Sequence, residues 1–307
     1  MSCRPGATQP FAWCGIAMRI PAAWETGVLG AGYALLEYRY RPVMELKTAV
    51  IRGHFSLPRH LKQLARMGRN KGVPSLQPMP IPPEWPAFPP DAQVGAFSWQ
   101  GPRVGGQGLV HFCRNRRRAT LIQFYDHGEG VSCSAALVLK TFRDHGPDAD
   151  PSLAVYDIRA TLPKRFTLRQ FQFEAGRFSL RFDHSGEGVT LLRWSPADVM
   201  LAGCGGDLKR LAGKMGLLPP AAAMEAYRYV EDAVEWQWRV KDLRRGLRAL
   251  WRRSAPDSLN ALRIWHRSRA NRILAVRVEG LADQATFERI CRSYGIVQKE
   301  EALPFQE

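Results

Sequence analysis

Two stretches of this chain alternate apolar and polar positions in the same way. GYALLEYR from Gly32 and GRFSLRFD from Gly176 each begin with glycine and then alternate, the period of a half-buried strand. Each is followed by a second strand-like run, VMELKT from Val43 and VTLLRW from Val189. YRP and the turn-rich HSGEG lie between them, so each pair predicts a β-hairpin. The period then changes to that of a helix. In HLKQLARMG, Leu61, Leu64 and Ala65 share one helical face, and in DLKRLAGKMG so do Leu208, Leu211 and Ala212. Gly68 and Gly216 follow, where a helix ends.

The correspondence extends to both ends of each half. IPAAW (Ile20–Trp24) parallels LPKRF (Leu162–Phe166). CRNRRRATLIQFY from Cys113 parallels HRSRANRILAVRV from His266, each a basic turn running into a strand. Each half closes on a predicted helix, CSAALVLKTFRDHG or DQATFERICRSYG. The elements recur in one order at an offset the size of a domain. The fold expected is α+β: a tandem duplication of two related domains, each an antiparallel sheet with covering helices. Residues 1–17 read as a loose tail or a start assigned too early, with Met18 the true start; 18–150 read as the first repeat and 151–307 as the second. The boundary falls in RDHGPDADPS (Arg143–Ser152), a stretch with turn and linker chemistry.

The halves differ in the middle. The first carries a proline-rich insertion at 74–90, where fixed φ and missing donors exclude helix and predict an extended, wandering segment. In the second, Ala221–Val234 favours helix, and Trp236 and Trp238 alternate with polar residues as in a short strand. Val240, Leu243, Leu247, Leu250 and Trp251 then form the apolar stripe of a basic amphipathic helix at about 239–253.

Composition adds constraints to this pattern. Of 307 residues 45% are hydrophobic, enough for a sizeable core in either half, and the net charge is +16. That field favours anionic partners, although an arginine-rich composition arises equally without selection for binding. Six scattered cysteines without a Cys-x-x-Cys pair fit reduced thiols, and the location expected is cytoplasmic. No apolar run reaches the roughly 18 residues of a membrane span.

Candidate chemistry is concentrated in arginine. Arg244, Arg245, Arg248 and Arg252 lie opposite the apolar stripe, Arg114, Arg116, Arg117 and Arg118 precede one late strand, and Arg267 and Arg269 stand at the matching place before the other. Guanidinium groups pair with carboxylate or phosphate bidentately, so these ten residues are the expected anion-binding surface. Solvated helix faces and charged turns have the same appearance. DHGEG and DHSGEG resemble Asp-His pairs but have turn composition. His111 and Cys113 share one side of a strand without a second ligand pair, so no metal is expected. GVLGAG and GGQG lack the context of phosphate loops, and no cofactor is expected.

The order of elements in each half, with a Pro-aromatic start, a Gly-aromatic strand, a hairpin partner, a helix, a late strand and a closing helix carrying KTFRD (Lys140–Asp144), resembles PsbP-like domains. That resemblance implies an antiparallel sheet covered by helices and a role in docking onto other proteins; it carries over no specific residue. The function expected is a non-catalytic binding protein that engages an acidic partner, protein or nucleic acid, through its arginine-rich surfaces. Two alternatives stand beside it. One is an enzyme with its site in the cleft between the repeats. The other is an assembly subunit whose proline-rich segment wraps a neighbour, which would leave Trp85 and Phe88 exposed in the isolated chain. The oligomeric state is open.

Overall fold

A computed structural model describes residues 7–70, 76–101, 103–127, 131–145, 150–218, 224–230, 232–238 and 258–297. The chain divides into two compact units, one made of residues 1–159 with 297–307 and the other of residues 160–296.

The first unit opens with β1 (Thr8–Trp13) and β2 (Ile16–Pro21), a hairpin whose turn residues Cys14 and Gly15 both have positive φ, 51° and 80°. Its main sheet contains β3 (Glu25–Gly30), β4 (Tyr33–Tyr38), β5 (Arg41–Val50), β6 (Gln77–Met79), β7 (Ala92–Gln100), β8 (Gly105–Cys113) and β9 (Arg118–Asp126). They lie in the order β3-β4-β5-β9-β8-β7-β6, with every neighbour antiparallel. Helix α1 (Leu57–Asn70) places Leu57, Leu61 and Leu64 against Phe97, Val110, Phe112, Ala119 and Leu121 on one sheet face. Helix α2 (Val131–Thr141) packs on β2 and β9, with Ala135, Val138 and Leu139 buried. β10 (Arg143–Asp144) pairs with β2, and β11 (Ser152–Val155) pairs with β1 through Ala154 and Ala12. β12 (Ile158–Thr161) carries the chain out of this unit.

The second unit repeats the plan. β13 (Thr167–Glu174), β14 (Arg177–His184), β15 (Glu187–Trp194), β16 (Met224–Val230), β17 (Ala233–Trp238), β18 (Leu259–Arg267) and β19 (Arg272–Leu281) form a sheet of order β13-β14-β15-β19-β18-β17-β16. Counted along each sheet, the order is the same as in the first unit, and the paired sequence stretches fall on strands at equivalent places. Helices α3 (Ala197–Ala202) and α4 (Leu208–Lys214) follow the third strand of their sheet, as α1 does. Their Leu201, Leu211 and Ala212 cover Trp194, Trp236, Leu262 and Ile264. Helix α5 (Gln284–Ser293) is capped by Asp283, whose carboxylate accepts from Thr286 N at 2.6 Å; it packs on β19, and β20 (Gly295–Ile296) follows.

The hairpin turns differ between repeats. Ser185 and Gly186, at φ 45° and 94°, make the left-handed turn of β14–β15, so DHSGEG is a turn. Arg39 and Tyr40 make the β4–β5 turn at φ 50° and 62° with no glycine at all.

Three expectations change, and one lies beyond the described residues. The fold is not a balanced α+β with covering helices: 52% of it is strand and 18% helix, arranged as three sheets with a few short helices. The reason is visible at Met224–Val230, inside the stretch that favours helix by composition, which is instead a strand paired along its length with β17. Cross-strand pairing outweighs intrinsic propensity there. The supposed loose tail contains β1 and the start of β2, with Phe11 and Trp13 each 1% exposed. In the proline-rich insertion, β6 joins the sheet edge and Trp85 is buried, so the exposed Trp85 that a wrapping segment would show is not there. The basic helix expected at 239–253 lies outside the described residues.

Candidate functional site

The arginines were expected to form an anion-binding surface. The turn Arg114–Arg118 joins β8 to β9, and its guanidinium groups are mostly engaged within the first unit. Arg116 and Arg118 reach Asp144 Oδ1 at 3.4 and 3.1 Å, and Asp144 is 3% exposed. Arg117 donates to Gly53 O at 3.1 Å, and the Gln93 carboxamide, turned to suit, accepts from Arg114 Nη2 at 2.9 Å. These cations fasten the turn to its surroundings. In the second unit, Arg267 precedes and Arg269 lies within a single 3-10 turn, Ser268–Ala270, between β18 and β19, and both are exposed. Arg244, Arg245, Arg248 and Arg252 lie outside the described residues.

Sheet register gathers a different group. Tyr33 pairs with Lys47, Leu35 with Glu45, Glu45 with Gln123, and Gly106 with both Tyr125 and Trp99. Directly paired residues share a face, so Val28, Tyr33, Leu35, Glu45, Lys47, Tyr125 and Trp99 stand on the face that carries α1. α1 covers only the β7–β8–β9 end of it, and Val28 at 50% exposed and Lys47 with half its side chain exposed mark the uncovered part.

The side chains there are interlocked. Lys47 Nζ lies 2.8 Å from Glu45 Oε1 and 5.7 Å from the centre of the Tyr33 ring. Tyr125 OH donates to Glu45 Oε2 at 3.4 Å. The Trp99 and Tyr125 rings meet edge to face, 5.2 Å apart at 81°. Burial, with the Glu45 charge adding to it, pushes both the Tyr125 and the Tyr33 hydroxyl above the ordinary phenol value, so both stay protonated donors. Trp99 lies across Gly106, where a Cβ would come within 2.0 Å of Phe124 O and 2.9 Å of the indole. The GGQG stretch is therefore a strand whose glycines admit a close neighbour and an aromatic ring.

The corresponding uncovered part of the second sheet is charged. Arg181 pairs with Asp183 at 3.0 Å and Glu279 at 3.2 Å, and Arg277 with Glu279 at 3.1 Å. Arg181 folds over Gly188, where a Cβ would lie 2.7 Å from its Nη2. These exposed pairs contribute little to stability.

His111 and Cys113 are both buried on β8, and no group of three or more His, Cys, Asp or Glu side chains converges among the described residues. The His111 ring stacks edge-on against Phe142 at 5.1 Å, and its Nδ1 meets no hydrogen-bond partner among the described residues. Burial lowers its pKa, opposed by the Asp144 and Asp91 carboxylates and reinforced by Arg116. The unfolded chain therefore binds this proton more readily than the folded one. Stability is full above the ordinary imidazole value of about 6.5 and declines as pH falls below it. Urea midpoints measured from about pH 7 down to about pH 5 should decline more steeply for the parent chain than for His111→Phe; parallel declines would refute the assignment.

No family model matches the chain, and no curated protein matches it. Among solved structures, one from Bacteroides thetaiotaomicron has a TM-score of 0.29 and 15% identity over 50% of this chain and 53% of its own, so this chain spans about half the length of that one. The apo structure of the type VI secretion immunity protein TplEi of Pseudomonas aeruginosa is similar at a TM-score of 0.35 and 11% identity, over 95% of this chain and 97% of its own. The Tle4–Tli4 complex gives 0.35 and 11%, over 96% and 99%.

Proposed function

We propose that the protein is a non-catalytic binder of an acidic partner protein, which docks on the uncovered sheet face around Tyr33, Tyr125 and Trp99. The observation that carries this reading is the chemistry of that face. Tyrosine and tryptophan are the residues most often dominant at protein interfaces, and here they stand half-buried where α1 ends. The net charge of +16 selects an acidic partner and speeds its encounter. Arg267 and Arg269, exposed in the second unit, add to that field.

A protein fits better than a nucleic acid. Lys47 is already paired with Glu45, and Arg116 and Arg118 with Asp144, so few of these cations are left for a row of phosphates. An immunity role of the kind named for TplEi would make the partner one particular protein, and the product of a neighbouring gene is the first to test.

The test is co-expression with that product, then size-exclusion chromatography with and without nuclease. A complex that survives nuclease is expected, weakened by about 2 kcal/mol or more in Tyr125→Ala. Dissociation by nuclease would point to nucleic acid instead, and an unchanged affinity in Tyr125→Ala would remove this face from the interface.

A further inference from the structure

At the turn end of the β7–β8 hairpin, on the sheet face opposite the Trp99 indole, lies a hollow of about 460 Å³. We infer that it is a binding site for a neutral, hydroxyl-rich ligand, a saccharide of two or three units. The inference does not rest on the partner-protein reading.

Its size falls within the roughly 300–1,000 Å³ of small-ligand sites. The lining is mostly polar, which argues against an apolar ligand: covering unpaired amides without returning their hydrogen bonds is costly. Gln77, Gln100 and Gln107 line it, and register puts Gln77, Ser98 and Gln107 side by side on one face. A carboxamide offers an acceptor and two donors side by side, which suits the paired donor and acceptor character of neighbouring hydroxyls.

Charge decides between ligand classes. Arg103 and Asp126 are the two ionisable residues of the lining, one of each sign. A phosphate would meet the Asp126 carboxylate and an amine the Arg103 guanidinium, whereas hydroxyls accept from one and donate to the other. Gly105 keeps a side chain off this face: a Cβ there would come 2.5 Å from Gln100 Oε1. This is a second reason for the glycine run, besides the room it makes for the indole.

The full-length chain is titrated separately with maltotriose, cellotriose and triacetylchitotriose by saturation-transfer NMR, with inorganic phosphate and spermidine as charged competitors. Saturation transfer to at least one trisaccharide is expected, with about tenfold weaker binding in Arg103→Ala and in Asp126→Ala. Both residues are exposed, so neither substitution disturbs the core. The inference is overturned if none of the three trisaccharides receives saturation, if both variants bind as the parent does, or if phosphate or spermidine displaces the sugar. Partner-protein binding is read in a separate experiment, so the two readings fail independently.

Discussion

Arg263→Ala is expected to destabilise the protein by about 3–5 kcal/mol, read as a fall in the urea midpoint. Arg263 on β18 stands directly opposite Glu235 on β17, and Glu235 is 0% exposed. The guanidinium donates from Nε to Glu235 Oε2 at 2.7 Å and from Nη1 and Nη2 to Glu288 at 2.9 and 2.6 Å. Gln237 donates to the other Glu235 oxygen at 2.9 Å, and Phe287 packs beneath the guanidinium, 5.2 Å from its ring centre. A carboxylate so enclosed has left water, and the arginine is its main compensation. Removing the arginine alone leaves an uncompensated buried charge, which is why the single change costs more than the pair contributes. The double variant Arg263→Met with Glu235→Met should therefore recover most of the loss. A single-variant loss below about 1 kcal/mol would mean that Glu235 keeps contact with water in the folded chain.

Trp13→Ala is expected to cost a further large amount, about 3–5 kcal/mol. Trp13 is 1% exposed and its indole N–H donates to Gly30 O at 2.8 Å, so the change leaves a cavity and an orphaned carbonyl together. A chain begun at Met18 should fare worse. It loses β1, which pairs with β2 along its length and with β11, and so should be recovered insoluble or unfolded by circular dichroism. A soluble, folded product from that truncation would show that residues 8–17 are dispensable.

The parts of the fold that sequence reveals are those where local pattern and tertiary pairing agree. β4, β5, β14 and β15 alternate and are bounded by turns, and they are hairpins. β1 escapes because TQPFAW contains Pro10 and does not alternate cleanly; Phe11, Ala12 and Trp13 are buried in succession. β16 escapes because alanine and glutamate favour helix until a neighbouring strand is present. The arginines read as free charges because nothing in RNRRR announces Asp144, which lies 26 residues beyond Arg118.

The aromatic face is assembled from distant segments. Tyr33, Glu45, Trp99 and Tyr125 meet through the register of β4 with β5, β5 with β9, β9 with β8 and β8 with β7. One local signal was available: Glu45 and Lys47 occupy alternate positions of β5, with Met44 and Leu46 between and beside them. Polar residues at that spacing mark a face that the core does not claim.

The pairing of β1 with β11 has a consequence for dissection. The strand that opens the second sequence repeat pairs with β1 inside the first compact unit, so a cut at the repeat boundary does not release two finished halves. A fragment ending near residue 150 would present the free backbone edge of β1, and β11 would leave with the other fragment. Expressed apart, the fragments invite aggregation; expressed together, they hold the makings of a split-protein pair in which one edge strand recruits the other.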